Sequence, residues 1–88
     1  MKIVFLSKFY KDLGKIKDKN TRERLLKIIE EIESANSLLD INNIKKLSGD
    51  KISYRIRLGD YRLGIFYENN TVELVRFVHR KDIYKVFP

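Results

Sequence analysis

Three arginines stand at spacings that would bring them together on one side of a β-hairpin. Arg55 and Arg57 alternate with apolar residues, and Arg62 follows the dipeptide Gly59-Asp60. Successive side chains of a strand point to opposite faces, so this alternation predicts a shared face for the arginines. A guanidinium group stays charged and binds phosphate oxygens through paired hydrogen bonds. The pattern therefore predicts a site for an anionic, phosphate-bearing ligand.

A two-residue turn at Gly59-Asp60 fixes which residues oppose each other in this hairpin. Leu58 then lies opposite Tyr61, and Arg57 lies directly opposite Arg62. Like charges in this position are unfavourable. A folded protein tolerates them when both stay solvated or when an anion lies between them, which supports the predicted anion site.

A second turn, at Asn69-Asn70, extends the register into the next strand. This register predicts that Phe77 lies opposite Arg62 and that His79 joins the arginine face near the end of the sheet. Arg80 and a basic tail follow immediately. One face would then gather arginines, an aromatic ring and an imidazole.

The same residues are also compatible with a purely structural role. Alternating arginines are often the solvent side of an antiparallel sheet. A lone histidine such as His79 is often a surface residue, and Tyr84 could simply pack the tail onto the sheet. The register also sends Arg76 to the apolar face opposite Leu63. Either Arg76 reaches solvent at an edge or a bulge shifts the strand, and a shift would move His79.

Hydrophobic periodicity predicts the elements that carry these residues. A strand at residues 2–6 precedes a helix capped by Ser7 and a second helix that begins near Asn20, with Glu23 completing a capping box. The apolar positions of the helices are Phe9, Leu13 and Ile16 in the first and Leu25, Ile28, Ile29, Ile32 and Ala35 in the second. Residues 36–50 are predicted to be irregular, strands follow at 52–58, 61–68 and 71–78, and the tail at 81–87 forms a helical turn. We expect an α+β fold: a mostly antiparallel four-stranded sheet with the N-terminal helix pair on one face and a short C-terminal helical tail.

Composition limits the chemistry that this chain can perform. Its 88 residues suffice for a single domain spanning 1–88. There is no cysteine and one histidine, and the acidic residues are not clustered like metal ligands, so we expect no metal and no cofactor. Nineteen Lys and Arg against twelve Asp and Glu give a net charge of +7, which favours phosphate-bearing or acidic partners. No apolar stretch is long enough for a signal peptide or a membrane span, so we expect a cytoplasmic protein.

The chain resembles the RelE/ParE toxins of type II toxin-antitoxin systems, most closely the RelE branch. Three stretches carry the likeness: residues 54–58 (Tyr-Arg-Ile-Arg-Leu), 59–62 (Gly-Asp-Tyr-Arg) and 79–84 (His-Arg-Lys-Asp-Ile-Tyr). The order of strand, two helices, β-meander and short basic tail extends it over essentially the whole chain.

This resemblance implies a ribosome-dependent endoribonuclease that cleaves mRNA in the ribosomal A site. Cleavage would proceed without a metal, by attack of the 2′-hydroxyl on the adjacent phosphate. The resemblance also implies a helical, RelB-like antitoxin that covers the basic face, with DNA contacted only through the toxin-antitoxin complex. Two alternatives exist on this fold: a ParE-like toxin that inhibits gyrase without cutting RNA, and an inactive protein that serves only as an antitoxin-bound corepressor.

The resemblance assigns roles to individual residues as well. Arg55 and Arg57 match two alternating basic residues of the RelE pattern, Arg62 a third after the hairpin, Arg80 a fourth before the tail, and Tyr84 a tyrosine within it. We expect a catalytic set and an RNA-binding set. The catalytic residues are Arg57, Arg62, Arg80, Tyr84 and His79. The RNA-binding residues are Lys51, Arg55, Lys81 and Lys85. Bacterial RelE proteins often have lysine where this chain has Arg55 and Arg57. Because arginine cannot act as a general base, His79 is the first candidate for proton transfer, with Lys81 or Lys51 as substitutes.

Overall fold

The computed structural model describes residues 1–88. Five strands and three helices make up the fold: β1 (Lys2–Phe5), α1 (Ser7–Gly14), α2 (Lys19–Ser34), β2 (Ile44–Lys46), β3 (Ser53–Leu58), β4 (Tyr61–Glu68), β5 (Thr71–His79) and α3 (Ile83–Val86). A short 3₁₀ turn, Leu38–Asp40, lies between α2 and β2. None of the helices combines the length and the apolar composition that crossing a membrane requires.

The α+β class is confirmed, but the prediction of four mostly antiparallel strands is wrong. The strands form one five-stranded mixed sheet in the order β1-β5-β4-β3-β2, with β1 parallel to β5 and the other pairs antiparallel. The additional strand, β2, lies within the segment predicted to be irregular. It has three residues, too few for an alternating pattern to be recognised, and it forms because Ile44 and Lys46 pair with β3.

The two N-terminal helices cover one face of the sheet and enclose the main core. Phe9 from α1, Ile16 from the segment after α1, and Leu25 and Ile32 from α2 are buried there. The cap of α2 differs from the prediction. The capping residue is Asp18 rather than Asn20, and its carboxylate accepts hydrogen bonds from the Asn20 amide and the Thr21 hydroxyl. The helix therefore begins at Lys19. Likewise Ser7 is the first residue of α1 and does not cap it.

Both predicted hairpin turns are confirmed. Gly59, Asn69 and Asn70 have φ angles of 60°, 51° and 57°, the left-handed region that tight hairpin turns require and that Gly and Asn adopt readily. Across the first hairpin Leu58 lies opposite Tyr61 and Arg57 opposite Arg62, as predicted.

The predicted register of β5 is wrong beyond its middle. A bulge lies between Gly64 and Ile65, so that Ile65 pairs with Leu74 while Gly64 pairs with Arg76. Phe77 consequently lies opposite Leu63 in the core rather than opposite Arg62. The bulge adds one residue to β5, which shifts every later side chain by one position.

The same bulge explains the position of Arg76. Strand β1 pairs with β5 only as far as Leu74, and α1 lies against the strand edge beyond it. There the Asp12 carboxylate, 4% exposed, accepts hydrogen bonds from Arg76 Nε (2.7 Å), Arg76 Nη2 (3.0 Å) and the Phe77 amide (2.9 Å). The hydrogen bond to Asp12 raises the pKa of Arg76, and burial opposes this only in part. One carboxylate thus accepts hydrogen bonds both from the displaced arginine and from a backbone amide at a strand edge that β1 does not cover.

The C-terminal tail packs on the second face of the sheet. Ile83 and Phe87 are buried with Leu47, next to the half-buried Phe66 and Val78. A Cβ atom on Gly64 would lie 2.7–2.9 Å from three atoms of the Phe87 ring, so the absence of a side chain at this position makes room for the ring. The second face is therefore part apolar, under the tail, and part polar, around the arginines.

Candidate functional site

Four arginines surround the β3–β4 hairpin on the second face of the sheet, and we call Arg55, Arg57, Arg62 and Arg80 the arginine cluster. Arg57 and Arg62 oppose each other directly. Arg80 follows β5, and its amide donates a hydrogen bond to the Asp60 carbonyl (2.7 Å), which holds it beside the turn. The predicted convergence of Arg57, Arg62 and Arg80 is therefore present.

Arg62 lies at the centre of this cluster. Its Nη1 donates to the carbonyls of Gly59 (2.8 Å) and Tyr61 (2.9 Å), so the side chain is held over the hairpin turn. Burial lowers the pKa of Arg62, and the positive charges of Arg55, Arg57 and Arg80 lower it further. The charged form of Arg62 is thus less favourable in the folded chain than in water.

No carboxylate neutralises the cluster. The ion pairs of the chain are Lys19–Glu23, Arg76–Asp12 and Lys85–Asp82, and none of them includes a cluster arginine. The hydrogen bonds that the cluster side chains make go to neutral oxygens, those of Gly59, Tyr61 and Asn43. The positive charge of four guanidinium groups is left free for an anion.

Tyr84 stands at the edge of the cluster on the tail. Its neighbours Ile83 and Phe87 are buried, whereas Tyr84 itself is 61% exposed. It is near enough to Arg62 to raise the pKa of that residue, against the larger effects that lower it. Tyr84 also lines a cavity of about 450 Å³ with Lys45, Lys46, Leu47, Ser48 and Pro88. An exposed ring that borders a basic cleft can stack on a planar ligand.

His79 lies on the opposite face from the arginine cluster, and its predicted placement is wrong. It pairs with Tyr61, whose ring is 5.8 Å from the imidazole. Its Nδ1 accepts a hydrogen bond from the Lys81 amide (3.2 Å). The shift of β5 at the bulge moves His79 to the helix side, where it borders a cavity of about 390 Å³ together with Asp12 and Lys15. A phosphate bound at the cluster would be separated from His79 by the sheet.

The predicted RNA-binding residues are not all brought together. Arg55 belongs to the cluster, but Lys85 is ion-paired with Asp82 (3.7 Å) and lines the cavity beside His79. Lys81 is exposed in the turn after β5, and Lys51 is exposed in the loop between β2 and β3. Neither lysine has a side-chain hydrogen bond or ion pair that would fix it near the arginines.

Two residues of the site were missed at the level of sequence. Lys45 pairs with Arg55 across β2 and β3 and so lies on the same face of the sheet. Asn43, just before β2, accepts hydrogen bonds from Arg55 and Arg57. Both lie in the segment predicted to be irregular, and only the pairing of β2 with β3 reveals their proximity to the cluster.

The arrangement suits binding of a phosphate diester. No group of three or more His, Cys, Asp or Glu side chains is placed to hold a metal ion. Forked guanidinium donors on a rigid hairpin can bind non-bridging phosphate oxygens and stabilise additional negative charge on them.

Known proteins with a similar sequence or fold point to one family. Residues 3–84 match the family model described as ParE toxin of type II toxin-antitoxin system, parDE. Toxin RelE3 of Methanocaldococcus jannaschii is 44% identical over 100% of both chains. The fold is similar to that in a RelB-RelE antitoxin-toxin complex from Methanococcus jannaschii (TM-score 0.83, 41% identity, 97% of this chain and 99% of that one). It is also similar to that in an archaeal RelE-RelB complex from Pyrococcus horikoshii (TM-score 0.72, 21% identity, 93% and 97%). With its sequence and fold in agreement, the chain belongs to the RelE/ParE superfamily of type II toxins, on the RelE branch.

Proposed function

We propose that this toxin is a ribosome-dependent endoribonuclease that cleaves mRNA in the A site. The observation that carries the proposal is the position of Arg62, which is partly buried, lies close to three other guanidinium groups and forms no ion pair with a carboxylate. A fold that keeps this charge unneutralised gains a compensating interaction when a nucleotide phosphate binds. Membership of the RelE branch supports RNA as the source of that phosphate.

The proposed reaction uses the 2′-hydroxyl of the substrate as its nucleophile. The 2′-oxygen forms a bond to the adjacent phosphorus, the bond from phosphorus to the 5′-oxygen breaks, and a 2′,3′-cyclic phosphate and a 5′-hydroxyl result. Arg57, Arg62 and Arg80 stabilise the extra negative charge on the phosphorane. By analogy with one donor of an oxyanion hole, removal of one such group raises the barrier by about 2–4 kcal/mol.

Tyr84 and the neighbouring lysines would hold the RNA strand in this reaction. Aromatic side chains bind single-stranded RNA by stacking on unpaired bases, and exposed Tyr84 beside Arg62 suits that role. Arg55 and Lys45, adjacent on the same face, would contact the next phosphate along the strand. Lys51 and Lys81, both exposed, would add charge attraction to the RNA backbone.

Proton transfer is not supplied by the arginine cluster. Arginine remains protonated near neutral pH and cannot act as a general base, and His79 lies on the other face of the sheet. An enzyme with this equipment provides charge stabilisation and relies on the in-line geometry of its bound substrate. Dependence on the ribosome, which would hold the mRNA in that geometry, is consistent with this division.

A RelB-like antitoxin is the proposed partner. Two of the similar structures are complexes of RelE with RelB, and a chain with a net charge of +7 attracts an acidic segment. We propose that the antitoxin silences the toxin by neutralising or covering the arginine cluster.

Primer extension on translated mRNA in growing cells tests the proposal. Expression of the wild-type chain should arrest growth and produce cuts at fixed positions within codons, and Arg62→Ala should abolish both. Arg62→Lys keeps the charge without the fork and should retain partial activity. Lys27→Ala, which removes an exposed cation from α2, is the control and should remain fully toxic. Growth arrest without codon-positioned cuts, accompanied by stalled DNA replication, would instead favour a gyrase-directed toxin.

A further inference from the structure

Asn43 contacts both of the alternating arginines of β3. Its main-chain carbonyl accepts hydrogen bonds from the Arg57 amide (3.1 Å) and from Arg55 Nη1 (3.3 Å). Its side-chain Oδ1 accepts a third from Arg57 Nη2 (3.3 Å). One neutral residue is thus bound to the backbone of β3 and to two guanidinium groups of the arginine cluster.

The backbone at Asn43 explains how a single residue reaches both arginines. Ile44 pairs with Ile56 at the start of β2, so Asn43 stands opposite Arg57 just outside the regular ladder. Its φ angle is 63°, in the left-handed region that Asn tolerates better than most residues other than glycine. This conformation ends the strand while the carbonyl and the side-chain amide both remain directed to β3.

A turn requirement alone does not account for asparagine here. Glycine adopts a positive φ angle with less strain, and it would keep the main-chain carbonyl that binds Arg55. What glycine lacks is the Oδ1 atom that binds Arg57. Arg57 is exposed and would otherwise be a mobile side chain, repelled by Arg62 directly opposite.

We infer that Asn43 is a positioning residue that holds the Arg57 guanidinium toward the substrate phosphate through its side-chain Oδ1. This inference rests on the proposed ribonuclease function. A neutral acceptor suits the role because it fixes the direction of the guanidinium without neutralising its charge, which a carboxylate would do. The remaining donors of Arg57 stay free for phosphate oxygens.

The experiment compares Asn43→Gly with Asn42→Gly as a matched control. Asn42 is the exposed neighbour and makes no hydrogen bond through its side chain. Single-turnover cleavage of mRNA on purified ribosomes gives the rate at saturating enzyme and the concentration that half-saturates it. Asn43→Gly should lower the saturated rate on the order of tenfold with a smaller change in half-saturation, because loss of alignment acts on the transition state. Asn42→Gly should match the wild type.

A second measurement separates positioning from a general effect on the fold. The ¹⁵N relaxation of the Arg57 Nε–H group reports its order on the ps–ns timescale. In Asn43→Gly the order parameter of Arg57 should fall, while that of Arg62, which is held by Gly59 and Tyr61, should not change. Equal loss of order at both arginines would mean a disturbed hairpin and would overturn the inference.

The outcomes distinguish the inference from the function on which it rests. A wild-type chain that does not cleave ribosome-bound mRNA refutes the proposed function. An active wild type with an equally active Asn43→Gly variant, or with unchanged Arg57 order in that variant, overturns the role of Asn43 alone.

Discussion

At the scale of single residues, the arginine cluster places four like charges where the fold itself gives them no counter-charge. The pKa of Arg62 is lowered by burial first and by Arg55, Arg57 and Arg80 second. A cation whose pKa is lower in the folded than in the unfolded chain destabilises the fold at every pH below that folded pKa. Because arginine titrates far above neutrality, the penalty is constant across the physiological pH range. An anion at the cluster should relieve it.

Inorganic phosphate should therefore raise the melting temperature of the isolated toxin. At equal ionic strength, phosphate should stabilise the wild type more than chloride does, because it binds the folded cluster and its negative charge offsets the repulsion between Arg57 and Arg62. Arg62→Ala should lose most of this difference, which thermal unfolding by circular dichroism can measure. An identical response of the two proteins would show that the cluster is not an anion site.

His79 and Arg80 are adjacent in the chain but lie on opposite faces of the sheet, and this gives a second prediction. His79→Gln should retain cleavage of ribosome-bound mRNA within a few-fold of the wild type, because the imidazole is on the side of Tyr61. Arg80→Ala should lower the cleavage rate about 30-fold or more, as expected for removal of one charge-stabilising donor. A His79→Gln variant that folds normally but does not cleave mRNA would contradict this prediction and show that His79 is needed for catalysis.

The arginines and the histidine differ in how far sequence could place them. Arg55, Arg57 and Arg62 surround a two-residue turn, and that turn fixes their register locally. His79 lies well along the next strand, beyond a bulge that no turn residue marks. Beyond this bulge, Asp12 binds Arg76 and the Phe77 amide from 64 and 65 positions away in the chain. Local sequence patterns cannot predict a contact between residues so far apart in the chain.

At the scale of elements, the short tail matters because it determines where Tyr84 stands. Ile83 and Phe87 anchor it, and the Phe87 ring occupies the space over Gly64. The backbone of Gly64 needs no left-handed conformation, so its importance lies in packing. A side chain at this position would push the tail, and Tyr84 with it, away from Arg62.

Gly64→Ala should therefore lower both stability and cleavage without removing any charge. The added methyl group would meet the Phe87 ring at 2.7–2.9 Å, and overpacking of this kind destabilises a fold by about 1–3 kcal/mol. Urea unfolding measures the loss. Gly14→Ala is the matched control, since a Cβ there meets nothing within 4 Å, and it should be neutral or slightly stabilising. If Gly64→Ala behaves like Gly14→Ala, the tail is not held as described.

At the scale of the whole molecule, the sheet separates the main core from the arginine cluster. The helix pair and the main core occupy the first face, and the tail and the arginine cluster share the second. The α+β class, the helix pair and the meander could be predicted because each rests on local periodicity. The parallel pairing of β1 with β5 and the three-residue β2 could not, since they depend on how distant segments pack. Lys45 and Asn43 were missed for the same reason.

Cleavage of mRNA by purified toxin on purified ribosomes is the most direct measurement of the central claim. The wild type should cut A-site mRNA to give a 2′,3′-cyclic phosphate and a 5′-hydroxyl, and a 2′-deoxy nucleotide at the cleaved position should block the reaction. Arg62→Ala should cleave about 30- to 1,000-fold more slowly, the equivalent of about 2–4 kcal/mol of barrier. Intact mRNA with the wild type, or equal rates for the wild type and Arg62→Ala, would contradict the account.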